Sequence, residues 1–238
     1  MSFKKNGKKL GVLGGLGPAA SAEFLRQLAM RCPANCDQEH PVVYMIADCD
    51  IPDRGTAIFG KGESPLSMLK QDIFKLAEWG ADVIAVPCNT AHYFINEFVD
   101  EIPVEFCHII EETVKAAMKR SPQGAWMLST KGTRASGLYQ KVADKYGYTL
   151  FIPNEEQSDA AQEVIVNVKA NKMTEAGCIM KNLCEELWSE RDLLVMTACT
   201  ELPLGYDASG LPEAKSVSSI SALVDAAVSK LYDEVEGE

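Results

Sequence analysis

The chain is short of positive charge. Its 23 Lys and Arg face 34 Asp and Glu, a net charge of −11. A surface of that sign repels phosphate backbones and anionic bilayers, so neither nucleic acid nor membrane is expected as a partner. Long apolar runs are absent too; none approaches the ~20 residues that a spanning helix needs. Eight cysteines contain no Cys-x-x-Cys. Their irregular spacing suits free thiols in a reducing, cytoplasmic setting. Cys32, Cys36 and His40 fall four apart, but Pro33 interrupts them and no second ligand pair follows, so no metal is expected. No Gly-Lys-Ser/Thr closes a glycine-rich loop, which excludes a P-loop. No low-complexity segment divides the chain.

What is present is a globular mix, 47% hydrophobic and 24% charged, over 238 residues. That length fits one large domain or two small ones. Lys4, Lys5, Lys8 and Lys9 precede an apolar stretch ending Ala-Ser-Ala, the outline of a secretory signal. Gly11, Gly14, Gly15, Gly17 and Pro18 spoil its helical core, so a first strand followed by a glycine-rich loop is predicted. From there apolar strands alternate with amphipathic helices, the signature of an α/β protein with parallel sheet. Strands are predicted at 10–13, 42–47, 82–86, 104–109, 124–128, 148–152 and 193–196, with a short one from Val217. Helices are predicted at 19–30, 64–79, 90–99, 111–119, from Ser136, and at 158–169, 173–189 and 220–234. Arg54 and the segment 129–133 are expected in polar loops.

The chain echoes itself. Val83-Ile84-Ala85-Val86-Pro87-Cys88-Asn89-Thr90 resembles Leu193-Leu194-Val195-Met196-Thr197-Ala198-Cys199-Thr200. Each is an apolar strand running into Cys and then Thr. This predicts two similar halves, each offering a cysteine at the carboxyl end of a strand, where open α/β sheets bind ligands. The halves are placed at 1–103 with 213–238, carrying Cys88, and at 104–212, carrying Cys199.

Two facing cysteines have a definite chemistry. A thiol at a helix start meets the positive end of the dipole, which is expected to lower its pKa toward neutrality. One thiolate can remove a proton from carbon while an opposed thiol returns one to the other face. That inverts a stereocentre with no cofactor. Backbone N–H groups, the Asn89 amide and the Thr90 and Thr200 hydroxyls are suited to hold a carboxylate and the charge that develops on it. His92, one helical turn after Cys88, is assigned a supporting role. The other six cysteines lack this context and are assigned to structure. Gly15-Leu16-Gly17-Pro18-Ala19-Ala20 matches a dinucleotide fingerprint. Asp48, however, lies well past the usual ~20-residue spacing, and Pro18 removes an N–H from the loop.

Taken together, the sequence resembles the aspartate racemase branch of the Asp/Glu racemase superfamily over nearly its whole length. The resemblance rests on Gly14–Pro18, Asp37–Pro41, Ile51–Arg54, Gly60–Glu63, Pro87-Cys88-Asn89-Thr90-Ala91-His92 and Cys199-Thr200-Glu201. It implies two similar α/β domains, pseudo-twofold related, with mainly parallel four-stranded sheets flanked by helices. It places the active site between them, usually in a homodimer, and implies racemisation without pyridoxal phosphate. Cys88 and Cys199 match the acid/base pair. Asn89, Thr90 and Thr200 match positions that hold the α-carboxylate and amino group. Arg54 and Lys169 match side-chain-carboxylate and substrate-binding positions. Three segments depart from the family: Asp48-Cys49-Asp50, Thr197-Ala198 and Ser216–Ser219. Aspartate is the expected substrate; glutamate, a wider amino-acid range, or binding without turnover stay as alternatives.

Overall fold

The computed structural model describes residues 2–235. The strands are β1 (Ser2–Lys5), β2 (Leu10–Gly14), β3 (Val43–Ala47), β4 (Val83–Ala85), β5 (Glu105–Cys107) and β6 (Ala125–Ser129), then β7 (Leu150–Phe151), β8 (Leu194–Ala198), β9 (Ser216–Ser218) and β10 (Tyr232–Val235). Two four-stranded sheets, β3-β2-β4-β5 and β7-β6-β8-β9, are parallel throughout. Both run second, first, third, fourth in chain order. The internal echo is therefore an equivalence of topology: Cys88 follows the third strand of one sheet and Cys199 the third strand of the other.

The first half carries helices α1 (Pro18–Arg31), α2 (Arg54–Ile58), α3 (Leu66–Glu78), α4 (His92–Ile95) and α5 (Ile109–Arg120). The second carries α6 (Lys131–Ser136), α7 (Leu138–Lys145), α8 (Glu155–Lys169), α9 (Met173–Glu190), α10 (Leu202–Ala208) and α11 (Ser219–Leu231). Every residue of β2, β6 and β8 is buried, as unbroken apolar strands must be when helices cover both faces. Local signals place several helix starts. His108 caps α5, with Glu111 and Glu112 in its first turn and Lys119 and Arg120 in its last, each sign matched to the dipole. Asn154 and Gln157 close a capping box on α8.

One apolar cluster joins the halves, running from Val12 and Ala85 through Ile109 and Leu223 to Met127 and Met196. Helices α5 and α11 pack on each other, and both meet β8 and β9. Strand pairing puts Glu105–Cys107 in the first sheet and Ser216–Ser218 in the second, each one strand away from the expected boundaries. Periodicity marks a strand but not its partner, which a free sheet edge decides.

Other expectations need correction. The helix expected over 90–99 shrinks to His92–Ile95 and a short turn of 3₁₀ helix; its Asn, Thr, His, Tyr, Phe and Val are weak helix formers. Arg54 opens a short helix capped by Asp53, whose Oδ1 accepts the Thr56 N–H at 2.7 Å. Thr130 likewise caps α6 inside the expected loop. The last helix stops at Leu231, and β10 turns back to pair antiparallel with β1. That ribbon joins the two chain ends, a non-local pairing invisible to periodicity. Among the described residues, no helix is long and apolar enough to cross a membrane.

Candidate active site

In each sheet the strand order reverses between the first and third strands, β2 beside β4 and β6 beside β8. Such switch points leave a crevice at the carboxyl strand ends. A cavity of about 360 Å³ lies there, lined from both halves, a size suited to a small molecule. All seven residues singled out in the sequence line it: Arg54, Cys88, Asn89 and Thr90 from the first half, Lys169, Cys199 and Thr200 from the second. They are separated by up to 146 positions along the chain, so only the fold brings them together.

The cysteines are 6% and 5% exposed. The expected lowering of their pKa is not found. Neither cysteine starts a helix, since α4 and α10 begin several residues later. Burial pushes the Cys88 thiol up, opposed by the Arg54 guanidinium and the Ala91 N–H. Burial pushes Cys199 well above the usual thiol value, reinforced by the Glu201 side chain and opposed by the Glu201 N–H and Lys169. The Cys199 thiol donates to Glu201 Oε2 at 3.1 Å, and Glu201 is itself buried at 4% exposure.

Asn89 is tied from two sides. Tyr139 Oη donates to its Oδ1 at 2.6 Å, and its Nδ2 donates to Ser219 Oγ at 3.1 Å. One amide hydrogen remains for a ligand. Thr90, Thr130 and Thr133 bring their hydroxyls within 2.9–3.2 Å of one another across the two halves. Gly132 packs closely on Gly55 there; a Cβ would come within 3.2 Å of the Gly55 Cα. His92 donates from Nδ1 to the Cys88 carbonyl at 2.8 Å. Burial holds its pKa well below the usual imidazole value, so the ring is neutral. It therefore steadies the Cys88 turn through the backbone, the supporting role expected.

The glycine-rich loop meets the site at two points. Gly15 has φ +85°, and a Cβ there would lie 2.6 Å from the Asp48 backbone. A Cβ on Gly17 would run into Glu201 Oε1. Leu16 between them lines the cavity.

Charge in the lining is positive on balance. Arg54, Lys61, Lys131 and Lys169 outnumber Asp53 and Glu201, and Lys131 is also paired with Asp159 at 2.7 Å. In a chain of net charge −11, this is a local reversal of sign, and it favours an anionic ligand.

Comparison with known proteins bears on this geometry. A family described as Asp/Glu/Hydantoin racemase matches residues 13–228. The chain belongs to that family. This racemase, an isomerase, is 30% identical to the broad specificity amino-acid racemase RacX of Bacillus subtilis (strain 168), over 81% of this chain and 85% of that one. The solved aspartate racemase of Picrophilus torridus superposes with a TM-score of 0.84 at 30% identity, covering 94% of each chain. Glutamate racemase of Aquifex pyrophilus is 29% identical over 54% of this chain and half of its own.

Sequence reasoning assigned no role to Glu201, Thr130, Tyr139 or Ser219 in this racemase. Glu201 stood in a quoted motif, yet nothing in spacing says that a carboxylate two residues on folds back onto its cysteine. Tyr139 lies on a helix whose burial pattern marks it as core. Its hydroxyl needs a partner when buried, and that requirement is the one signal by which it could have been found.

Proposed function

We propose that this racemase inverts the α-carbon of an acidic amino acid, aspartate first, by proton transfer between Cys88 and Cys199 with no organic cofactor. The observation that carries the reading is the pair of cysteines from equivalent strands lining one cavity whose charge is reversed against the rest of the chain. One cysteine as thiolate takes the α-proton; the other as thiol delivers a proton to the opposite face. Thr90, Thr200 and the free Asn89 N–H hold the α-carboxylate and lower the energy of the enolate-like state. Arg54 and Lys169 attract the side-chain carboxylate. The aspartate racemase relative supports that substrate. The broad-specificity relative supports a wider range, so glutamate and uncharged amino acids belong in the assay panel.

The test is solvent deuterium. Two opposed thiols put different protons on the two faces. In heavy water the delivering thiol carries deuterium before catalysis begins. Early product should therefore hold deuterium at the α-carbon, and recovered substrate little. Mass spectrometry of both enantiomers at low conversion reads this directly. Early product that keeps its α-hydrogen would overturn the two-cysteine scheme.

A further inference from the structure

The two cysteines stand in unequal charge environments. A carboxylate accepts hydrogen bonds and cannot donate one. With Glu201 as a carboxylate, the Cys199–Glu201 bond of 3.1 Å is therefore made by the proton of Cys199. Glu201 Oε1 is buried with no partner. A thiolate at Cys199 would press a second negative charge against it where little water reaches.

Cys88 meets the reverse. The Arg54 guanidinium lines the same cavity and its positive charge favours the Cys88 thiolate; it is held by three main-chain carbonyls. Nη1 donates to Ile51 and Pro52 at 3.1 and 3.2 Å, and Nη2 donates to Leu16 at 2.9 Å. Its Nε–H is buried and uncommitted. A guanidinium keeps its charge at any working pH. The charged groups acting on Cys88 are Arg54 and, against it, Glu201; those acting on Cys199 are Glu201 and Lys169. The Lys169 side chain is exposed, so solvent screens it more than it screens buried Glu201.

We propose that the two thiols ionise in a fixed order, Cys88 before Cys199, so that the singly ionised form ready for catalysis pairs a Cys88 thiolate with a Cys199 thiol. This rests on the two-cysteine reading of the site and adds to it a direction. Arg54 becomes the counter-ion of the Cys88 thiolate as well as a source of attraction for the substrate. In the favoured turnover, the Cys88 thiolate takes the α-proton and becomes a thiol. Cys199 gives its proton to the opposite face and becomes a thiolate. Exchange with solvent then returns the proton to Cys199 and removes one from Cys88, so charge and protons balance over the cycle. The enantiomer that turns its α-hydrogen toward Cys88 meets the more readily ionised cysteine, and its mirror image meets the less readily ionised one. Enantiomers are equal in free energy, so kcat/KM is the same in both directions. The separate kcat and KM values differ.

Limited alkylation with iodoacetamide tests the order without any substrate, because the thiolate is the reacting species. Near-equal burial of the two cysteines removes access as the cause of a difference. Peptide mass spectrometry at about pH 7 should show Cys88 modified faster than Cys199. Exposed Cys36, Cys49 and Cys178 serve as internal references. Glu201→Gln should speed Cys199 and narrow the gap, and Arg54→Gln should slow Cys88, with circular dichroism confirming each fold. Should Arg54→Gln fail to fold, Glu201→Gln alone decides. Equal rates, Cys199 reacting first, or a Cys199 rate indifferent to Glu201→Gln would overturn the order. The deuterium experiment is independent of it, so failure of one is distinguishable from failure of the other.

Discussion

Tyr139 reaches across from the second half to donate its hydroxyl to Asn89 Oδ1 at 2.6 Å, next to Cys88. Both side chains are buried, and Ser219 takes the other end of the amide. The bond selects one orientation of the amide, oxygen toward Tyr139 and nitrogen toward Ser219. It also ties the two walls of the cavity together.

Tyr139→Phe keeps the ring and removes the bond. Asn89 Oδ1 is then buried without its donor, which costs about 1–3 kcal/mol. For a chain of this size the melting temperature should fall by roughly 2–12 °C. Calorimetry checks that. Racemase activity should fall as well, since the freed amide can rotate its remaining N–H away from the ligand. A variant with unchanged melting temperature and unchanged kcat would show the bond to be incidental.

Cys88→Ser and Cys199→Ser should each abolish nearly all racemisation with the fold intact by circular dichroism. A serine hydroxyl is too weak an acid to exchange a proton with carbon near neutral pH. Cys49→Ser should change little, because Cys49 is exposed and lies outside the cavity lining. Substantial activity in either of the first two variants would remove the paired role.

Lys169→Ala should separate substrates by charge. Lys169 lines the cavity at the end of α8 and is exposed, so its contact with a distal carboxylate is partly screened. A roughly 2–12-fold loss of kcat/KM on aspartate is expected, the range for a hydrogen bond of ordinary net strength. An uncharged amino acid should lose less. Equal losses would place Lys169 in structure and not in recognition.

Asp72 predicts a pH dependence of stability. Its side chain is 8% exposed, and Oδ2 has no partner. Burial and the neighbouring Asp48 raise its pKa, with Lys75 opposing. The native state therefore binds this proton more tightly than the unfolded state does. The stabilisation it contributes is complete below the unfolded value of about 4 and is lost as pH rises through the native value. Asp72→Asn should raise the melting temperature at about pH 7, with a smaller gain at about pH 4. A gain that grows on acidification would contradict this assignment.

Much of this protein follows from local signals. The apolar runs at 10–14, 83–85 and 194–196, the capping residues and the strand–Cys–Thr repeat act within a few residues. They determine an α/β alternation and mark two cysteines at strand ends. Tertiary structure decided the rest. Strands 105–107 and 216–218 found their sheets through free edges, and the chain ends found each other in the β1–β10 ribbon. Glu201 on Cys199, Arg54 in one cavity with Cys88 and Tyr139 on Asn89 are arrangements that no periodicity encodes. Spacing along the chain can name the two thiols. Their unequal surroundings arise only when folding buries them, because a charge matters most to a group from which water has been withdrawn.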